Sequence, residues 1–67
     1  MEEILRIREL REEKGLTQGQ LAKAIGVHRA TIGHYEIGYT EPDIKTIKKL
    51  CKFFDVTSDY LLGLTEY

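Results

Sequence analysis

The sequence predicts an all-α domain of five short helices, and three observations lead to it. Apolar residues recur at three- and four-residue intervals, and no run alternates with the two-residue period of a strand. Capping residues and glycine stops divide the chain at short intervals. No repeat, low-complexity tract or flexible linker separates one stretch from another, so residues 1–67 read as one domain.

Taken in order, Ile4, Ile7 and Leu10 step at i+3 with Leu5 beside them, while Arg6, Arg8, Glu9, Glu12 and Glu13 fill the other faces. Gly15 after Lys14 is a stop signal, which predicts helix 1 over residues 2–14. Thr17 with Gln20 three places on is a capping box, opening helix 2 over residues 18–25. Leu21, Ala22 and Ile25 are its apolar stripe, and Gly26 ends it; two turns are too few to stand alone. Helix 3 spans residues 29–36, with Ile32 and Tyr35 inward and Gly38 as its stop. A loop from Ile37 to Glu41 leads to Pro42, the one proline. Asp43 caps helix 4, where Ile44, Ile47, Leu50, Cys51 and Phe54 form the stripe and Lys45, Lys48, Lys49 and Lys52 cover the other side. Thr57 caps helix 5, which carries Tyr60, Leu61 and Leu62 and stops at Gly63. Leu61 and Leu62 are expected in the core, leaving Tyr60, Leu64 and Tyr67 partly exposed for a partner.

Composition narrows the function. With 42% hydrophobic and 31% charged residues the chain is an ordinary globular sequence, not a disordered one. No apolar run approaches the ~18 residues of a membrane span, and the acidic start Met1-Glu2-Glu3 is unlike a signal peptide, so a cytoplasmic location is expected. A lone Cys51 makes no internal disulfide and reads as a small buried hydrophobe. His28 and His34 lie six apart, where metal ligation on one helix face needs i and i+4, so no metal site is expected. No carboxylate pair, nucleophile–base pair or glycine-rich phosphate loop is present in credible form. Neither an enzyme, nor a cofactor, nor a small-molecule ligand is expected.

Charge is distributed unevenly. Ten Lys+Arg against eleven Asp+Glu give a net charge of −1, whereas a domain that grips nucleic acid by charge alone is strongly basic. Residues 17–42 hold only Lys23 and Arg29 against Glu36 and Glu41. The helix-4 lysines read as a solvated face balanced by Asp55 and Asp59, with Lys45 alone placed to help at the middle segment.

That middle segment is the informative part. Leu21, Ala22, Ile25, Val27 and Ile32 sit where two short helices would cross; Ala22 is small at the close approach, and Gly26 can adopt positive φ to turn the chain. Helix 3 is then anchored by its inward side and presents Arg29, Ala30, Gly33 and His34 on the other, in a rod that fits the ~12 Å major groove of B-DNA.

At this point the sequence resembles the phage-repressor/Cro class of helix-turn-helix proteins, often called XRE-type. The resemblance runs from about Ile7 to Gly63 and rests on Leu16-Thr17-Gln18, Leu21-Ala22, Gly26-Val27, Ile32, Tyr35-Glu36, Gly38, Glu41-Pro42 and Val56 with Leu61-Leu62-Gly63, in order and at the right spacing. It implies a compact five-helix lambda-repressor-like fold with the helix-turn-helix at helices 2 and 3. It also implies a regulator, most often a repressor, that binds double-stranded DNA at a palindromic operator as a homodimer.

Carried over residue by residue, the resemblance gives Gln18 a phosphate, and His28, Arg29, Ala30 and His34 base edges. Arg29 has the fork to grip guanine O6 and N7, Ala30 suits a thymine methyl, and His34 has a donor for a base or a phosphate. Thr31 is assigned to backbone, and Arg11 and Glu36 match a pair that ties helix 1 to the end of helix 3; Gly33 either allows a close approach to DNA or is simply tolerated. This chain departs from the pattern at several places. His28 replaces the usual Ser or Thr cap, Gly33 a common Ser, Ile37 a frequent Asn, and Tyr39-Thr40 a frequently basic pair. With that loop uncharged, binding is expected to lean on hydrogen bonds from Gln18, Tyr39, Thr40 and backbone amides. Two other classes fit the same residues: a protein-interaction module on this fold with weak or no DNA binding, and an antitoxin-type component that binds DNA and a partner.

Overall fold

Side-chain caps and left-handed glycines set most of the helix ends. The computed structural model describes residues 5–66. It contains α1 (Ile7–Glu13), α2 (Gln18–Ile25), α3 (Arg29–Glu36), α4 (Ile44–Phe54) and α5 (Ser58–Leu61), with no strand among the described residues. The Thr17 hydroxyl accepts from the Gln20 amide at 3.0 Å while the Gln20 side chain accepts from the Thr17 amide at 2.8 Å, the reciprocal box read from the sequence. Asp43 and Thr57 accept from the amides of Thr46 and Tyr60 in the same way. His28 makes no side-chain cap, as the departure from Ser or Thr implies.

Three sequence expectations shift. Helix 1 does not reach back across Arg6: its described part starts at Ile7, because the Arg6 amide is taken by the Leu61 carbonyl at 3.0 Å, a bond to the far end of the chain. The earlier part of that expected helix, with Ile4, lies outside the described residues, as does Tyr67. Ile44 is 72% exposed rather than on the buried stripe. At 3.6 residues per turn it sits about 100° around the helix from the Leu50–Phe54 line that faces the core. Leu62 is half-buried and caps α5 instead of continuing it.

The core is a cluster contributed by every helix: Ile7 and Leu10 from α1, Leu21, Ala22 and Ile25 from α2, Ile32 and Tyr35 from α3, Leu50 and Phe54 from α4, and Leu61 from α5. Fully burying a Leu or Ile contributes about 1.5–3 kcal/mol. Shared burial therefore holds helices of seven or eight residues that would melt in isolation. α2 packs most extensively against α3, with the small side chain of Ala22 buried between neighbours. Among the described residues no helix is long and apolar enough to cross a membrane.

Candidate nucleic-acid interface

The turn between α2 and α3 decides where α3 points. Gly26 adopts φ 79°, ψ 36°, a left-handed conformation that costs other residues steric strain. The amides of Gly26 and Val27 both donate to the Ala22 carbonyl, at 2.8 and 2.9 Å, closing the end of α2. His28 then runs extended, at φ −75° and ψ 149°, and α3 begins. Ile32, Tyr35 and Glu36 are buried. His28, Arg29, Ala30 and His34 are exposed, and Thr31 and Gly33 are half-buried. In a helix, positions 29, 30, 33 and 34 share one face. That face is polar, small in the middle at Ala30 and Gly33, and uncovered by the described residues.

A buried ionic network fixes the inner side of this arrangement. Glu36 is only 5% exposed. Its Oε2 accepts from Arg11 Nε at 2.6 Å, and its Oε1 accepts from Arg11 Nη2 at 3.3 Å and from Gln18 Nε2 at 3.0 Å. Arg11 Nη1 donates to the Leu16 carbonyl at 2.7 Å. A fork-shaped guanidinium meeting both carboxylate oxygens is the strong geometry for such a pair. The hydrogen bond to Glu36 raises the Arg11 pKa above its ordinary value, against the opposing effect of burial. The expected Arg11–Glu36 tie is therefore present. It also neutralises an acidic group at the end of α3 that would otherwise repel an anion.

The bond from Gln18 to Glu36 is the addition the sequence reading missed. The half-buried Gln18 side chain spends one donor on Glu36, which orients the amide across α3 beside Gly33. A methyl group at Gly33 would stand 3.6 Å from Gln18 Nε2, an ordinary contact, so the space there is snug without being closed to alanine. The Thr17 cap satisfies the Gln20 amide, and the Gln18 and Gly19 amides carry no hydrogen bond among the described residues. They are the free donors that a helix start offers to an anion. Gly19 is a second omission: the Arg29 stem lies over it at the start of α2, and a Cβ there would stand 3.5 Å from Arg29 Cδ, an ordinary contact. A glycine in the first turn of a helix was the available signal.

The loop after α3 carries the other expected residues. Tyr39 is 74% exposed, and its ring lies 4.7 Å from the His34 ring at a 50° tilt. Its amide donates to the His34 carbonyl at 2.9 Å, and the Thr40 amide to the same oxygen at 3.5 Å. His34, Tyr39 and Thr40 thus form one exposed group at the end of α3, next to exposed Ile37. Gln18 and Arg29 bracket the opposite end, beside Gly19. At the other end of the chain Leu64 is 71% exposed and Tyr60 is partly exposed, as expected, with the Arg6 guanidinium 4.2 Å from the Tyr60 ring centroid.

The model of the helix-turn-helix family matches residues 7–61. An SPbeta prophage-derived, uncharacterized HTH-type transcriptional regulator of Bacillus subtilis, YonR, is 42% identical over 61 residues, covering 91% of this chain and 56% of the relative. The chain thus spans about half the length of curated relatives it matches. Among solved structures, the P22 c2 repressor in complex with a synthetic operator superposes with a TM-score of 0.81 at 35% identity, over 85% of this chain and 86% of that one. The restriction-modification controller protein C.AhdI of Aeromonas hydrophila superposes with a TM-score of 0.76 at 38% identity, over 84% and 85%.

Proposed function

Since the chain belongs to the helix-turn-helix family, we propose that it is a sequence-specific DNA-binding regulator of transcription, a repressor that occupies a palindromic operator as a homodimer with α3 in the major groove. The observation that carries this reading is the uncovered polar face of α3, held outward by the buried Arg11–Glu36–Gln18 network. The likeness to a repressor solved on its operator supports the same reading.

Roles follow from position. Arg29 reads guanine, His28 and Ala30 contact neighbouring base edges, and Gly33 lets the backbone approach. The Gln18 and Gly19 amides, with the outer side of the Gln18 amide, seat one phosphate. Thr31 contacts backbone, and His34, Tyr39 and Thr40 brace the strand at the far end of α3. One such module buries only ~600–1,000 Å² on DNA, so two related by a two-fold axis, reading half-sites ~34 Å apart, supply the useful affinity. Because this face offers few cations, its salt dependence is shallow. The slope is about −0.9 per phosphate neutralised by a cation, and the neutral amide and hydroxyl contacts add little to it, so the loss as salt rises is modest but measurable.

The experiment is a fluorescence-anisotropy titration of operator-length duplex DNA at increasing salt. Affinity that falls linearly on the log–log plot supports the proposal. A second reading, a protein-docking module on the same scaffold, is favoured by exposed Ile37 and Tyr39, and absent or salt-independent DNA binding would select it.

A further inference from the structure

A second surface shares no residue with the polar face of α3. The end of α2 and the last turns of α4 enclose an open groove of about 510 Å³. Ala24, Ile25 and Phe53 form its floor, and Lys23, Lys49 and Lys52 its rim. Lys14 joins them from beyond the end of α1, with its ammonium 5.8 Å from the Phe53 ring centroid. Three cations therefore line an apolar floor, and a fourth lies over its Phe53 ring, on a chain whose net charge is −1.

These lysines have no ion-pair partner among the described residues. Among the described residues the ion pairs join Arg8 and Arg11 to Glu12 and Glu36, and none uses a lysine. The expected balance of the α4 lysines by Asp55 and Asp59 takes no direct form. A cluster of unpaired cations with low-dielectric walls holds a positive potential that draws anionic groups. A phosphate backbone would use the cations and gain nothing from the floor. A peptide that alternates carboxylates with apolar side chains uses both, because apolar anchors supply affinity and rim charges supply orientation and association rate.

We propose that this groove docks an acidic, leucine- or phenylalanine-bearing segment of a partner protein. Its apolar side chains rest on Ala24, Ile25 and Phe53, and its carboxylates face Lys14, Lys23, Lys49 and Lys52. The partner can then be held while α3 remains free.

The test uses the intact chain and three short labelled peptides in anisotropy titrations: one of alternating glutamate and leucine, one with every glutamate changed to glutamine, and one with every leucine changed to serine. The first binds at least about tenfold more tightly than either control, a difference equivalent to ~1.4 kcal/mol. Lys49→Glu combined with Lys52→Glu weakens it about tenfold, as the reversal of two rim charge pairs implies. Ala24→Glu, at an exposed helical position, does the same by filling the floor. Circular dichroism verifies that both variants fold, and both keep wild-type affinity for duplex DNA. Equal binding of the three peptides overturns the proposal, as does wild-type peptide affinity in both folded variants. Loss of duplex-DNA affinity in the lysine variant also overturns it, assigning those lysines to the phosphate backbone.

Discussion

Removing Arg11 strips Glu36 of its countercharge while leaving the carboxylate where it is. In Arg11→Ala, Glu36 loses donors at 2.6 and 3.3 Å and keeps only the Gln18 amide, and the Leu16 carbonyl loses its 2.7 Å donor. Hydrogen bonds to charged groups contribute about 1.5–3 kcal/mol each, and breaking a buried ion pair from one side costs about 3–5 kcal/mol. Glu36 is 5% exposed, so water cannot replace the lost donors without a local rearrangement. The expected cost is about 3 kcal/mol. A chain of this length holds roughly 3–10 kcal/mol in total, at 0.05–0.15 kcal/mol per residue. At ~4–8 °C per kcal/mol for a domain this small, Tm falls by roughly 12–24 °C. Urea and thermal unfolding followed by far-ultraviolet circular dichroism measure both quantities. The double variant Arg11→Met/Glu36→Leu recovers at least half of the loss, because it removes the stranded charge as well. A cost below ~1 kcal/mol for Arg11→Ala, or a double variant no more stable than the single one, refutes the reasoning.

Three further outcomes follow from local chemistry. Gly33→Ala stabilises the protein by up to ~1 kcal/mol, because the helix interior gains alanine's propensity and the new methyl meets Gln18 only in ordinary contact; a Tm below wild type contradicts it. Asp43 has its pKa lowered by hydrogen bonds from Thr46, side chain first and then amide, so its contribution is present above the unfolded value near 3.8 and disappears as pH falls through the folded one. Thermal melts between pH 6 and 3, buffer values chosen to bracket the ~3.9 reference of an aspartate, show a shallower acid limb in Asp43→Asn, and identical limbs contradict that sign. Burial pushes the Cys51 thiol pKa up, so alkylation near neutral pH is slower in the folded protein than in the denatured chain; equal rates mean the thiol is open.

Much of this architecture is legible in the sequence because its signals are local. The Thr17–Gln20 box, the Gly26 turn and the Asp43 and Thr57 caps each depend on residues within four positions, and each stands where the spacing puts it. Ile44 shows the limit of periodicity: apolar spacing identified the helix but not the phase at its first turn. Asp55, left-handed at φ 58° at the end of α4, was invisible as a stop because aspartate enters that region only occasionally. The Gln18–Glu36 bond joins residues eighteen apart through the packing of α2 on α3, and neither residue's neighbours announce it. The same holds for Lys14 over Phe53, which brings the end of α1 to α4. The exposed face of α3 was legible as a set of positions, since burying Ile32 and Tyr35 leaves Arg29, Ala30 and His34 exposed with Gly33 half-buried among them.

Selection from a pool of random duplex oligonucleotides, run in parallel with wild type and Arg29→Ala, addresses the readout by α3 most directly. The wild type should enrich a two-fold symmetric site, and Arg29→Ala should relax the preference for guanine at one position in each half while costing about 1–3 kcal/mol. Enrichment of no sequence by the wild type, or an unchanged preference in the variant, would contradict it.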